Sequence, residues 1–409
     1  MTEARELLGR LGMDWNHEDC RALIKNFTEE MEAARRQEAS SLSVIPSYLD
    51  LKEDIYGEES VASVDAGGTN LRVARVDFGS DGKREIVSMK KYPMPGRDGA
   101  VSSDEFFDKI AGLITENVPG EGRIGISFAY KGEITPERDY IICGMCKEVE
   151  VTGISGKSLA KGIGDAFERA GLPRRPINTV NDTAASLIGS VSGKELENCC
   201  AAVGLVLGTG YNICYREQTG HIRGYLGGSG HDVVVTESGF FDKLPRTKAD
   251  IFIDESSQLP GDHICEKMVA GRYLCDIYNY VAGMALKEGI IQDGSLIRPG
   301  EDASYVDSLC RYEGDDPDAL AASEIARCIV KRSAYIVASS IAAVILSSRE
   351  GDGEAIIVPE GSTILRMHGY MDIFREVLDL FLTEENGIRY RTVVREDCVI
   401  YGTASAAVM

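Results

Sequence analysis

No stretch of this sequence is apolar for long enough to span a bilayer. The longest run, residues 335–346, is too short and carries Ser339 and Ser340 inside it. It reads as a buried helix. The first residues, with Glu3, Arg5, Glu6 and Arg10, hold no apolar segment either, so no secretory leader is expected. Positive charge is scarce beside negative: 44 Lys and Arg stand against 65 Asp and Glu, a net charge of −21. That balance excludes a nucleic-acid partner or an anionic membrane surface, whose phosphates would be repelled. A small phosphorylated ligand stays open, because local backbone N–H groups and a metal ion can hold one against the overall field. A disulfide framework is also missing. The 11 cysteines are odd in number and scattered, which fits free thiols in a reducing, cytoplasmic setting. The CxxC pair Cys143 and Cys146 has no second pair at zinc-binding spacing, and ordinary strand-end cysteines are the expectation there.

What the chain does have is length. Its 409 residues exceed one compact core, so two domains are expected. Helical periodicity runs through residues 20–31 until Pro46 interrupts it in VIPSYL. Strands follow at 61–64, 71–78 and 85–89. A helix over 103–115 leads to a strand in RIGISFAY, and a helix over 156–170 leads to one in INTVND. Further on, AIIVPEGSTI and DCVIYGTASAAVM each read as an apolar strand, a small-residue turn and a helix, and one amphipathic helix is expected from near Glu266 through Glu288.

Two glycine turns stand out. SVDAGGTNLRVARVDFG (63–79) sets Asp65, Gly67, Gly68, Thr69 and Asn70 between two strands, and CAAVGLVLGTGYNICYRE (200–217) repeats the design around Gly208, Thr209 and Gly210. The familiar phosphate loop opens a helix; neither of these does. A pair of such hairpins, one per half, suggests an internal duplication in which two α/β halves face a cleft and grip a phosphate chain with backbone N–H groups. Asp65 either stabilises its turn or holds Mg²⁺, directly or through water. In NTVNDTAASL, Asn181 and Asp182 either cap a helix or, at the end of a strand, put a general base beside a ligand.

The segments DAGGTNLRV, SFAYKG, VNDTAAS, GLVLGTGYN, LPRTKADIFIDESS and PGDHICEKMVAGRYL, in that order, resemble the eukaryotic-type hexokinases, with the likeness running from about Phe27 to Met409. The resemblance implies an α/β fold of the actin-like ATPase (ribonuclease-H-like) class, with a small domain of 59–182 plus 400–409 and a large domain of 1–58 plus 183–399. It implies MgATP and a hexose, glucose foremost, as ligands, and transfer of the γ-phosphoryl group of ATP to the sugar 6-hydroxyl. Carried over residue by residue, Asp182 would be the general base. Ser127, Lys147, Asn181, Asn212, Glu237 and Glu266 would contact sugar. Asp65, Gly67, Gly68, Thr69, Asn70 and Arg72 match the first phosphate loop, Gly208, Thr209 and Gly210 the second, and Gly361, Ser362 and Thr363 the adenosine motif. Asp65 would also face Mg²⁺. The chain departs from the family where Ala129 follows Ser127-Phe128, and where Met145, Cys146, Glu148 and Val149 surround Lys147. A thiol is a poor substitute for the expected threonine hydroxyl. A non-enzymatic sugar sensor and an ATPase acting on a protein partner are the rival readings. The repressor-related bacterial sugar kinases fit less well, for want of their Cys/His cluster.

Overall fold

The computed structural model describes residues 2–51, 58–68, 70–80, 82–145 and 149–409. The chain forms two compact units: the first is Met1–Val44, Leu205–Ile213 and Thr236–Thr392, the second Ile45–Gly204, Cys214–Val235 and Val393–Met409. The small domain expected from the sequence, 59–182 plus 400–409, lies wholly inside the second unit, whereas the expected large domain is divided between the two.

The second unit is built on a five-stranded sheet. Its order is Ile177–Val180, Ile124–Phe128, Glu59–Gly67, Asn70–Phe78, Arg84–Pro93. The central strand, Glu59–Gly67, is buried from Val61 to Ala66, as a strand covered on both faces should be. It pairs parallel with Ile124–Phe128 and antiparallel with Asn70–Phe78. The outer strand Arg84–Pro93 is largely exposed and carries Lys90 and Lys91, charges that discourage pairing with another chain. Helix Ser103–Asn117 starts at a capping box in which Ser102 and Glu105 satisfy each other's backbone N–H groups. Helix Leu159–Arg169 begins later than the 156–170 expected, because Lys157–Ser158 pairs as a short strand with Ile141 and Ile142. Pro46 sits in a two-residue strand beside Val234, an edge position where its missing N–H costs no ladder bond.

The segment DCVIYGTASAAVM corrects the reading of its apolar start. There is no strand: Cys398–Val408 is a single helix. A short apolar run fits a strand or a buried helix equally well by pattern, and packing decides. A Cβ on Gly402 would lie 1.8 Å from the Ala185 carbonyl oxygen, and one on Gly189 would lie 1.9 Å from that of Cys398. The final helix therefore lies against helix Asp182–Ser190 at backbone contact, which only glycine allows.

The first unit is mostly helical. Helix Pro317–Ser348 runs for 32 residues, with Pro317 at its first turn and Asp316 as its cap. It is long and apolar enough to cross a membrane, but 89% of its most apolar window is buried inside the protein. Helices His17–Arg35 and Tyr370–Leu378 pack along it. Its fully buried Arg332 makes a two-pronged ion pair with Asp250, at 2.7 and 2.9 Å. The parallel strands Glu354–Glu360 and Tyr390–Thr392 lie in the same unit.

Candidate active site

In the second unit, strand register gathers residues that are far apart in sequence. Ser127 is the partner of Asp65 on one side and of Val180 on the other, and Asp65 is opposite Arg72. Asn181 and Asp182 follow Val180 directly. One row at the ends of the parallel strands thus holds Arg72, Asp65, Ser127 and the turn into the next helix, the place where open α/β sheets bind ligands.

Both readings of Asn181 and Asp182 can hold together. The Asn181 side-chain oxygen accepts from the backbone N–H of Thr183 at 2.8 Å and of Ala184 at 3.4 Å, capping helix Asp182–Ser190. Its NH₂ is the half it can offer to a ligand oxygen. The Asp182 carboxylate accepts from Thr183 N–H at 2.8 Å. Burial pushes its pKa above the ordinary aspartate value, and the charge of Asp65 pushes it further. A carboxylate tuned toward neutrality is suited to accept a proton.

Asp65 is buried, and its Oδ2 lies 2.8 Å from the Arg72 guanidinium, which also reaches Asp397 at 3.5 Å. Among the described residues no group of three or more His, Cys, Asp or Glu converges to hold a metal. One carboxylate, shared with an arginine, fits Mg²⁺ carried by phosphates and water better than a protein-ligated ion. Gly67 forms the end of its strand, and Gly68 turns with a φ of 52°. The Ser127 hydroxyl is fully buried and has no hydrogen-bond partner among the described residues, which leaves it free to serve a ligand. Thr69 and Lys147 lie outside the described residues, as do Cys146 and Glu148, so the sequence departures there have no structural counterpart.

The first unit gathers the remaining candidates. Asn212 donates to Glu237 at 3.2 Å and accepts from the N–H groups of Ile213 and Ser238. Glu237 has left-handed backbone, φ 51°, which turns its side chain out of the strand that ends at Val235. Glu266 accepts from Tyr211 N–H at 3.0 Å. Three polar side chains are thereby held around the Gly208–Gly210 hairpin. On its other side, Gly208 stands next to Gly361, Ser362 and Thr363. Its carbonyl accepts from Gly271 N–H at 2.8 Å and from the Thr363 hydroxyl at 3.1 Å. Gly361, at φ 111°, would put a Cβ 2.3 Å from the Leu207 carbonyl oxygen.

This arrangement corrects the expectation of one helix from Glu266 onward. Helix Ile264–Val269 stops, Ala270 is extended, and a second helix runs over Gly271–Lys287. The break is forced by the hydrogen bond from Gly271 to Gly208, since a Cβ on Gly271 would lie 2.4 Å from Thr363 Oγ1. Gly271, Asp397 and Tyr130, whose hydroxyl donates to the Gly68 carbonyl, shape these loops and were missed from sequence. The small pair Ala270-Gly271 inside a helical pattern was the one available signal.

Two hexokinase family models match this chain, over residues 10–191 and 202–409. The chain belongs to the hexokinase family. It is similar to the hexokinase of Schwanniomyces occidentalis, 26% identical over 100% of this chain and 93% of that protein. It is also similar to the hexokinase-like 1 protein of Arabidopsis thaliana, 30% identical over 68% of this chain and 59% of that protein. The chain spans less than two thirds of several curated hexokinases it matches, 57% of hexokinase-2 of Candida albicans for example. Among solved structures, the hexokinase from Schistosoma mansoni complexed with glucose superposes with a TM-score of 0.80, at 21% identity over 99% of this chain and 98% of that one. A ROK family glucokinase from Streptomyces griseus in complex with glucose and AMPPNP superposes with a TM-score of 0.52, at 18% identity over 85% of this chain and 99% of that one. The hexokinase fold, of the actin-like ATPase class, is the one the motifs implied.

Proposed function

We propose that this chain is an ATP-dependent hexose kinase that moves the γ-phosphoryl group of MgATP to the 6-hydroxyl of glucose or a related hexose. The observation that carries the reading is Asp182, a carboxylate of raised pKa at a strand end, in line with Asp65 and the unpartnered Ser127. Membership of the hexokinase family supports it, as do proteins of this fold solved with glucose and with AMPPNP. A reducing, cytoplasmic setting belongs to the same proposal, supported by the odd number and scattered spacing of the cysteines.

In this reaction Asp182 takes the proton from the 6-hydroxyl as that oxygen forms its bond to the γ-phosphorus. The bond from phosphorus to the β,γ-bridging oxygen breaks, and ADP leaves with that electron pair. The resemblance assigns Ser127, Lys147, Asn181, Asn212, Glu237 and Glu266 to the sugar oxygens. A sugar lacking a hydroxyl would leave such groups unpaired, which is the basis of selectivity. MgATP is a substrate; its magnesium would neutralise phosphate charge, and Asp65 is the residue assigned to it, directly or through water. The glycine hairpins offer backbone N–H groups to phosphate oxygens, so catalysis is chiefly positioning and electrostatics.

The test is ADP release from MgATP with and without glucose, mannose, fructose, glucosamine and N-acetylglucosamine. Sugar-dependent release that falls by roughly 10²–10⁴-fold in Asp182→Ala, with sugar binding retained, is the expected outcome. Near-full activity in that variant would remove Asp182 as the base. Release without sugar would point to an ATPase acting on a protein, and sugar binding without release to a sensor.

A further inference from the structure

The first glycine hairpin is secured by a side chain outside its own motif. Gly68 is exposed and left-handed, and a Cβ there would meet nothing within 4 Å, so packing does little to fix the tip. One contact does. The hydroxyl of Tyr130, itself only 5% exposed, donates to the Gly68 carbonyl. Tyr130 lies three residues beyond Ser127, and the segment between is already joined to the hairpin strand, with Ala129 N–H donating to the Ala66 carbonyl at 3.2 Å. The tyrosine is braced in turn. Tyr140 donates its hydroxyl to the Tyr130 carbonyl, and the Phe128 ring centre lies 4.9 Å from that of Tyr130 and 5.3 Å from that of Tyr140.

We propose that Tyr130 is a positioning residue for the first phosphate loop, holding the Gly68 carbonyl and with it the left-handed turn at that glycine in the form that meets the nucleotide. Glycine in the left-handed region is the residue with most conformational freedom to lose, and a braced phenol supplies the restraint. The inference rests on the kinase reading, because it assigns that hairpin to a nucleotide.

The experiment compares the unaltered chain with Tyr130→Phe, Tyr140→Phe and, as a control, Tyr370→Phe, which removes a buried phenol bonded to Ser333 in the first unit. Calorimetric titration with MgAMPPNP and separately with glucose is read beside thermal midpoints. Tyr130→Phe is expected to weaken MgAMPPNP binding by roughly three- to tenfold, the worth of one neutral hydrogen bond. Its glucose affinity should stay within about twofold, and its midpoint should fall no further than that of Tyr370→Phe. Tyr140→Phe should act in the same direction and less. Unchanged MgAMPPNP affinity in Tyr130→Phe would overturn the inference while leaving the kinase reading intact. So would a parallel loss of both ligands with the thermal midpoint, or a larger nucleotide effect in Tyr140→Phe. If the unaltered chain does not bind MgAMPPNP at all, the kinase reading and this inference fall together.

Discussion

The two glycine hairpins look alike in sequence and are held in different ways. At the first, Gly68 is exposed and a side chain there would meet nothing; one tyrosine hydroxyl restrains it. At the second, neighbouring segments lie close on several sides. Gly208 receives two hydrogen bonds on its carbonyl, Gly361 packs on Leu207, and a Cβ on Gly210 would lie 2.9 Å from Glu266 Oε2. Glycine serves the first loop by its backbone conformation and the second by its small size. The first hairpin is accordingly the part that can be altered at little structural cost, and the second the part whose alteration should spread into its surroundings.

The largest break should come at Gly361. Gly361→Ala combines a φ of 111° with a 2.3 Å clash against a backbone oxygen, and neither partner can turn away. Unfolding in denaturant should show a loss of about 3 kcal/mol or more, since strained backbone and overpacking add. A loss below about 1 kcal/mol would mean that the second hairpin is not close-packed in solution. Gly210→Ala comes next. It must displace the Glu266 carboxylate, which also accepts from Tyr211 N–H. Weakening of glucose binding by about tenfold is expected, with a stability loss of about 1.5–3 kcal/mol, the range for a hydrogen bond to a charged group.

Gly68→Ala sharpens the contrast from the other side. With nothing within 4 Å, its only cost is the left-handed backbone, about 1 kcal/mol in denaturant unfolding. Gly68→Asn should cost less still, because asparagine tolerates that region. Both should nevertheless weaken MgATP binding, by placing a side chain at the open tip, and normal nucleotide affinity in both would argue that no phosphate approaches there. The smallest change to read is a displaced pH profile. Asp182 must be ionised to accept a proton, and burial, then the charge of Asp65, raises its pKa. The acid limb of kcat/KM should therefore lie above the ordinary aspartate range. In Asp65→Asn one raising influence is gone, so the limb should move to lower pH. An unmoved limb would separate Asp65 from the base.

The raised pKa has a stability consequence of fixed sign. The stability linked to Asp182 is full below its unfolded pKa and is lost as pH rises through the folded one. Above its folded pKa the ionised carboxylate thus destabilises the second unit.

Much of the site was legible because its signals are local. Asn181 and Asp182 after a short apolar strand announce a helix start whatever the rest of the chain does, and Gly67-Gly68 and Gly208–Gly210 announce turns. The two corrections have the opposite character. The Val399-Ile400 run is helical because Gly402 and Gly189 let two helices touch, and the helix after Glu266 breaks at Ala270 because Gly271 is bonded to Gly208, 63 positions away by residue number. No window of ten or fifteen residues contains those partners.

By itself, then, the sequence determined where most of the longer strands form, where most of the chain turns, and which carboxylates, amides and glycines were available for chemistry. Those choices follow from side-chain period, backbone freedom and capping, all short-range effects. Only the tertiary structure decided that Asp65, Ser127 and Val180 share one register row, that Asp182 has a raised pKa, and that one hairpin is open while the other is packed. Register, desolvation and close contact depend on chain segments remote in sequence arriving at the same place, and no residue's own preferences specify which neighbours those will be.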